Sequence, residues 1–306
     1  MRTTKVALVN HSTHFQDRSA LLVAAHLLQA QVRHHFRPVW NVNAQITLVE
    51  PRPKPVKGRT KRLSAILPGQ SILLLVDAGI DPAQLGFHGL TWQDQPFSVV
   101  FVNQAGTKKL RTDWLKTASH ELLEMLVDPH LNRATVHHPS ATTTEIYAYE
   151  IGDPVEQDHY EIRVSNPAGE PFRGLVSNFV YPTWFEPGPP GTRRRVRKYD
   201  HLGLLKHPFE MRPKGSLGCL NLATNYWDVI VNRSTANALI SKADRVDGSK
   251  LHAEKLAAER KSRLQRRGSL SGAAHGDEIW TGDEIWTGDE IWTGDEIWTG
   301  DEIWTG

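Results

Sequence analysis

In the stretch Ser119-His120-Glu121-Leu122-Leu123-Glu124-Met125-Leu126-Val127-Asp128-Pro129, a histidine and three carboxylates recur at the spacing of a helical turn. An α-helix advances by roughly 100° per residue, so side chains four apart stand above one another. His120, Glu124 and Asp128 then share one side, with Glu121 beside them, while Leu115, Ala118, Leu122, Met125 and Leu126 gather opposite. The chemistry such a face offers is metal binding. In a helical H-E-x-x-H, two imidazoles hold one zinc ion and the first glutamate stays free as a general base. Here Glu124 stands where the second histidine would be. The competing reading is an amphipathic helix whose polar face meets water, and a third ligand decides between the two. Pro129 stops the helix, because the residue before a proline avoids the helical conformation. Thr112 or Asp113 can cap its start.

A hydrolytic zinc site needs three protein ligands and an open position for water. Glu150 lies far enough downstream for a loop and a return, and Asp153 follows it. Either carboxylate can complete the ligand set. Asp153 can instead accept the second ring N–H of His120 and fix its tautomer. Gly86-Phe87-His88-Gly89-Leu90 reads as a glycine-flanked loop with a further imidazole. His88 is then a third ligand with Glu150 behind it, or a donor to a developing oxyanion, a role open also to Tyr149 and Tyr160. Glu121 is the expected proton acceptor. Asp128 is two turns from His120, about 12 Å along the axis, too far to share an ion, and belongs to the helix end.

One imidazole and two carboxylates leave a bound Zn2+ formally neutral, so its water is acidified less than on a two-imidazole site. Oxygen ligands also make Mn2+ or another hard divalent cation more competitive. The expectation is a slow hydrolase or a structural metal site.

The pattern H-E-x-x-E-x-x-x-D-P over residues 120–129, followed by Glu150-Ile151-Gly152-Asp153 as E-I-x-D, resembles a group of bacterial zincin-like metallopeptidases. Gly86-Phe87-His88 and the segment from Val176-Ser177-Asn178-Phe179-Val180 to Trp184-Phe185 share the resemblance, which covers about residues 5–220. It implies a zincin-like fold, a metal at His120, Glu124 and Glu150 or Asp153, and a peptide or protein substrate. The departure from a standard zincin is Glu124. The alternative function is a zincin-like binding protein without catalysis, whose site holds a structural metal or a peptide or glycan.

The elements that must position these residues are legible as apolar runs. Strands are expected at residues 5–9, 46–49, 71–77 and 97–102, and a helix at 19–36 with Leu22, Ala25, Leu28 and Val32 on one face. The first 130 residues read as β-α-β-β-β-α. A polar loop with His137 and His138 follows, then short strands at 160–164 and 175–180, and irregular structure at 199–220. The fold class is α+β with an α/β-like N-terminal half, a mixed sheet carrying the active-site helix. Three regions are expected: a zincin-like metallohydrolase domain at 1–232, a basic helical extension at 233–268, and an acidic tail at 269–306.

The net charge of +2 hides an asymmetry. From Gly276 the hexapeptide Gly-Asp-Glu-Ile-Trp-Thr runs five times, so the tail holds ten negative charges and the remainder a net +12. Its low-complexity composition predicts disorder. The basic clusters at 51–62, 193–197 and 250–267 read as solvated surface. They lack interleaved aromatic residues for base stacking, so nucleic acid is not the expected partner. One cysteine, Cys219, excludes an internal disulfide. No apolar run spans a bilayer and no signal peptide is evident, so a cytoplasmic or leaderless exported protein is expected. Oligomeric state is not legible.

Overall fold

Continuous apolar runs make the centre of a parallel sheet, because parallel strands are covered on both faces. The runs at β1 (Thr3–Asn10), β3 (Ser71–Val76) and β5 (Pro96–Phe101) do so here: Val6 to Val9 and every residue of β3 are buried. The computed structural model describes residues 3–49, 69–77, 84–91, 94–104, 107–165, 171–186, 198–222, 226–232 and 244–246. With β2 (Asn43–Val49) and β4 (Gly86–Leu90), these strands form a five-stranded sheet in the order β2-β1-β3-β5-β4. The first four are parallel and β4 runs antiparallel to β5 at the edge.

Helix α1 (Arg18–Ala30) makes the crossover from β1 to β2. The Asp17 carboxylate caps it by accepting from the Ala20 N–H at 3.0 Å. The helical path does not stop at Phe36. It continues as a π-helical stretch at Gln31–Phe36 and the turn α2 (Arg37–Trp40), then ends at Asn41 in the left-handed conformation with φ 54°. Trp40 is the reason to extend it, since its indole N–H donates to the Val180 carbonyl at 3.0 Å and its ring packs on Tyr149 and Phe185.

Helix α3 (Trp114–Val127) carries the H-E-x-x-E pattern and packs on β4 and β5. Asp113 occupies the N-cap position but caps nothing, because its carboxylate takes the Arg111 guanidinium instead. The helix ends at Asp128, whose buried carboxylate accepts from the Asn132 and Arg133 N–H groups and so shapes the turn after it.

The second half is antiparallel. Strands β6 (Ala134–Ser140), β7 (Thr143–Ala148), β10 (Ser216–Asn221), β11 (Tyr226–Val231) and β12 (Asp244–Val246) form a sheet in the order β12-β11-β10-β7-β6. The hairpin of β8 (His159–Ser165) and β9 (Pro171–Ser177) lies across α1 and α3. Gly174 allows this contact: a Cβ there would stand 2.6 Å from Leu115 Cδ2 and 2.7 Å from Leu27 Cδ1. The short helix α4 (Pro182–Phe185) buries Trp184 and Phe185. One apolar cluster runs from Val6 and Leu28 through Leu122 to Tyr147, Trp184, Leu217 and Ile230, so both halves share a core. The molecule is a mixed α+β protein.

Four sequence expectations need correction, and the first is the irregular stretch expected at 199–220, whose end is strand β10, paired with β7 and β11. Gly86–Leu90 is a strand and not a loop, because its backbone completes the open side of β5. His137 and His138 lie on β6, paired with β7, and not in a loop. Asp244–Val246 pairs with β11 inside the region expected to be helical. The Asp247-Gly248 pair just beyond it is a turn signal that interrupts the helical period. The basic stretches at 51–62 and 250–267, the arginines at 193–197 and the repeat tail lie outside the described residues. No helix among the described residues is long and apolar enough to cross a membrane.

Candidate metal centre

Three elements bring six titratable side chains together. Helix α3 supplies His120, Glu121 and Glu124, strand β4 supplies His88, and the segment after β7 supplies Glu150 and Asp153. Each arrives for a local reason. His88 pairs in register with Ser98 of β5, and the Ser98 hydroxyl donates to the Glu121 carbonyl at 3.2 Å. That bond seats the first turn of the motif beneath His88. The segment from Tyr149 to Glu156 is held by backbone bonds from Val180 N–H to Ile151 O, 2.8 Å, and from Arg212 N–H to Pro154 O, 2.8 Å.

The glycines mark where backbone and side chains nearly touch. A Cβ on Gly152 would lie 2.5 Å from His120 Nδ1, and the Gly152 N–H donates to Glu124 Oε1 at 2.9 Å. A Cβ on Gly86 would lie 2.8 Å from Glu121 Oε1. Only glycine permits these approaches.

The polar face of α3 does not meet bulk water. Glu121 and Glu124 are 6% and 3% exposed. Among the described residues, no lysine or arginine pairs with either of them or with Glu150 or Asp153. Burying carboxylates is costly without a compensating positive charge. The distances say what would compensate. His120 Nε2 is 3.2 Å from Glu124 Oε2 and 3.3 Å from Asp153 Oδ1. His88 Nδ1 is 3.4 Å from Glu121 Oε2 and 3.5 Å from Glu124 Oε2. Charge-assisted hydrogen bonds would close to roughly 2.7–2.9 Å. Two atoms each about 2.1 Å from a tetrahedral zinc stand about 3.4 Å apart. The separations match those between neighbouring ligands of a tetrahedral ion, and a donor set of imidazole and carboxylate would suit zinc or manganese.

His88 Nε2 and Glu150 Oε2 are 3.4 Å apart, both buried, and neither has a hydrogen-bond partner. Glu150 thus stands behind His88 and faces its second ring nitrogen. Asp153 does not take the second nitrogen of His120. It approaches Nε2, which Glu124 also faces, while Nδ1 lies against Gly152.

The electrostatics follow from this crowding. Burial opposes charge on His88, but Glu150, a hydrogen bond to Glu121 and the Glu124 and Glu121 charges outweigh it and push the imidazole up to about 10. His120 is likewise held well above the ordinary range, against burial, by Glu124 and Asp153. Burial pushes Glu150 up to about 8, helped by Glu124 and Asp153, and raises Glu121 and Asp153 as well. Glu124 alone is lowered, because His120, His88 and the Gly152 N–H overcome its burial. The cluster therefore holds protons on its imidazoles and on part of its carboxylates.

His120, Glu121 and Asp153 line a cleft of about 220 Å³, with Gly86, Lys116, Thr117, Glu156 and Ser216 also in its wall. Sequence reasoning did not single out these last residues. Lys116 had a signal, standing four before His120 on the same helical face, and Glu156 follows Asp153 by one short helical turn. Ser216 comes from a distant strand and had none.

Two expected residues do not join the site. The Tyr160 hydroxyl lies 3.1 Å from His35 Nδ1, in a cluster with Gln31 and His201, because β8 faces α1. Tyr149 is drawn to Phe185, on which its ring stacks, and its hydroxyl donates to Glu186 at 2.8 Å. Cys219 is buried. A scan against models of known protein families gives no match, and no curated protein is significantly similar in sequence.

Proposed function

We propose that the chain is a divalent-metal-dependent hydrolase of zincin-like construction that cleaves peptide bonds. The observation that carries this reading is the triad His120 Nε2, Glu124 Oε2 and Asp153 Oδ1, mutually within 4.8 Å, with Glu121 next to it on the cleft wall. The triad would hold the cation, and Gly152 keeps His120 and Glu124 in place from behind. The metal, zinc or manganese, would supply a polarised water and a Lewis acid for the scissile carbonyl.

The remaining work falls to the chain's own groups. Glu121 is buried, so its carboxylate is more basic than a solvated one, which suits a proton acceptor working near neutral pH. It takes a proton from water in the cleft and returns it to the leaving amine. His88 contacts Glu121 and fixes the orientation of that carboxylate. Neither tyrosine can stabilise an oxyanion from where it lies, and Lys116 is the cationic group in the cleft wall that can.

Elemental analysis of the purified protein tests the reading. The wild type should retain zinc or manganese, and His120→Ala and Glu124→Ala should lose it from this triad. Glu121→Gln should still hold a cation there while peptide hydrolysis falls by about 10²- to 10⁴-fold, the usual worth of a general base. Wild-type hydrolysis by Glu121→Gln would remove Glu121 from its role.

A further inference from the structure

The polar cluster is larger than one ion needs. Two triads satisfy the geometry of a cation site: His120, Glu124 and Asp153, and separately His88, Glu121 and Glu124. They share Glu124, whose Oε2 stands 3.2 Å from His120 Nε2 and 3.5 Å from His88 Nδ1. The second oxygen of Glu124 is already committed to the Gly152 N–H. From these contacts we infer that the protein binds a pair of divalent cations bridged by Glu124, the second held by His88 and Glu121. The inference rests on the metal-dependent reading above and extends it.

The carboxylates outnumber what one triad uses. Glu121, Glu124, Glu150 and Asp153 gather around two imidazoles with no lysine or arginine paired to them among the described residues. A single cation at His120, Glu124 and Asp153 would leave His88 and Glu121 outside its ligand set. Water is largely excluded from Glu121 and Glu124, so these groups are not left to solvent.

The surroundings of His88 are those of a ligand. Its Nδ1 points at the two carboxylates at tetrahedral spacing, and its other nitrogen is aimed at Glu150. Metal-binding histidines ordinarily give their second N–H to a carboxylate, which fixes the tautomer and ring orientation. The His88 side chain is 8% exposed, and its Nε2 has no hydrogen-bond partner in the geometry found here. A cation on Nδ1 would fix the proton on Nε2 and give Glu150 something to accept. Glu121 would reach the second cation through Oε2. Its Oε1 is packed under Gly86 at the cleft wall. Pairs of this kind, roughly 3.5–4 Å apart, clamp both the attacking and the leaving atom in hydrolases.

The test is metal counting on the full-length chain, stripped with chelator and reloaded with Mn2+. Two Mn2+ per chain are expected, with an exchange-coupled electron paramagnetic resonance spectrum. His88→Ala and His120→Ala should each retain one Mn2+ with an uncoupled six-line spectrum. A wild type that holds one uncoupled Mn2+ overturns the pair and leaves the hydrolase reading standing. Retention of two by His88→Ala also overturns it. No tight Mn2+ or Zn2+ at all overturns both readings. Should His88→Ala fail to fold by circular dichroism, the wild-type count and spectrum decide alone.

Discussion

Gly152 shows most clearly how one residue governs the site. Its missing side chain leaves room for the His120 ring, and its N–H anchors Glu124. Gly152→Ala would drive a methyl group to 2.5 Å from Nδ1, and an imidazole wedged between a helix and a loop cannot swing away freely. Overpacking of this kind costs about 1–3 kcal/mol. The variant should melt earlier and bind Zn2+ at least about tenfold more weakly, since misplaced ligands cost metal affinity on that order. Isothermal titration with Zn2+ checks it, and unchanged affinity would show that His120 has another position available. His120, Glu121 and Glu124 were legible in the sequence because one helix and one period arrange them. Gly152 was not, since nothing in Glu150-Ile151-Gly152-Asp153 says which neighbour comes within touching distance.

At the scale of elements, the site depends on how α3 is clamped. The sheet holds it from one side through Ser98, and the β8–β9 hairpin holds it from another through Gly174. Gly174→Val should lever the hairpin from Leu27 and Leu115 and lower stability by about 1–3 kcal/mol. Metal stoichiometry should not change, because no ligand lies on that hairpin. Urea unfolding beside metal analysis separates the two effects. Strand β4 is the element whose absence from a sequence reading mattered most. It has five residues, two of them glycine, with no alternation of apolar and polar side chains, and so carries no periodic signal. Its identity comes from pairing with β5, a long-range event, and only that pairing explains why His88 meets Glu121. The apolar runs of β1, β3 and β5 were legible because burial on both faces demands them.

For the whole molecule, two histidines away from the site contribute to the response to acid. Burial lowers His11 to about 4, against the pull of Asp77. Burial, with His35 and Lys198 nearby, lowers His201 to about 4. Unfolded histidines titrate near 6.5, so between pH 6.5 and 4 the unfolded chain binds protons that the folded chain refuses. Stability contributed by these groups is complete above pH 6.5, falls as pH drops to about 4, and is lost below that. His11 accounts for at most about 3 kcal/mol of this. Between pH 6.5 and 4 the urea midpoint of chelator-treated wild type should lose more, or gain less, than that of His11→Asn and of His201→Phe, and slopes equal to the wild type in both would refute the assignment.

The anchoring of the Glu150–Asp153 segment has a further consequence, for the order of events on the ribosome. Helix α3 leaves the exit tunnel well before Asp153, and Ile151 is pinned only when Val180 pairs with it. During synthesis the residues of α3 emerge before the segment that covers their acidic face. A cation held by His120, Glu124 and Asp153 would have to wait for the later strands, so the nascent chain would pass through a stage unable to hold it.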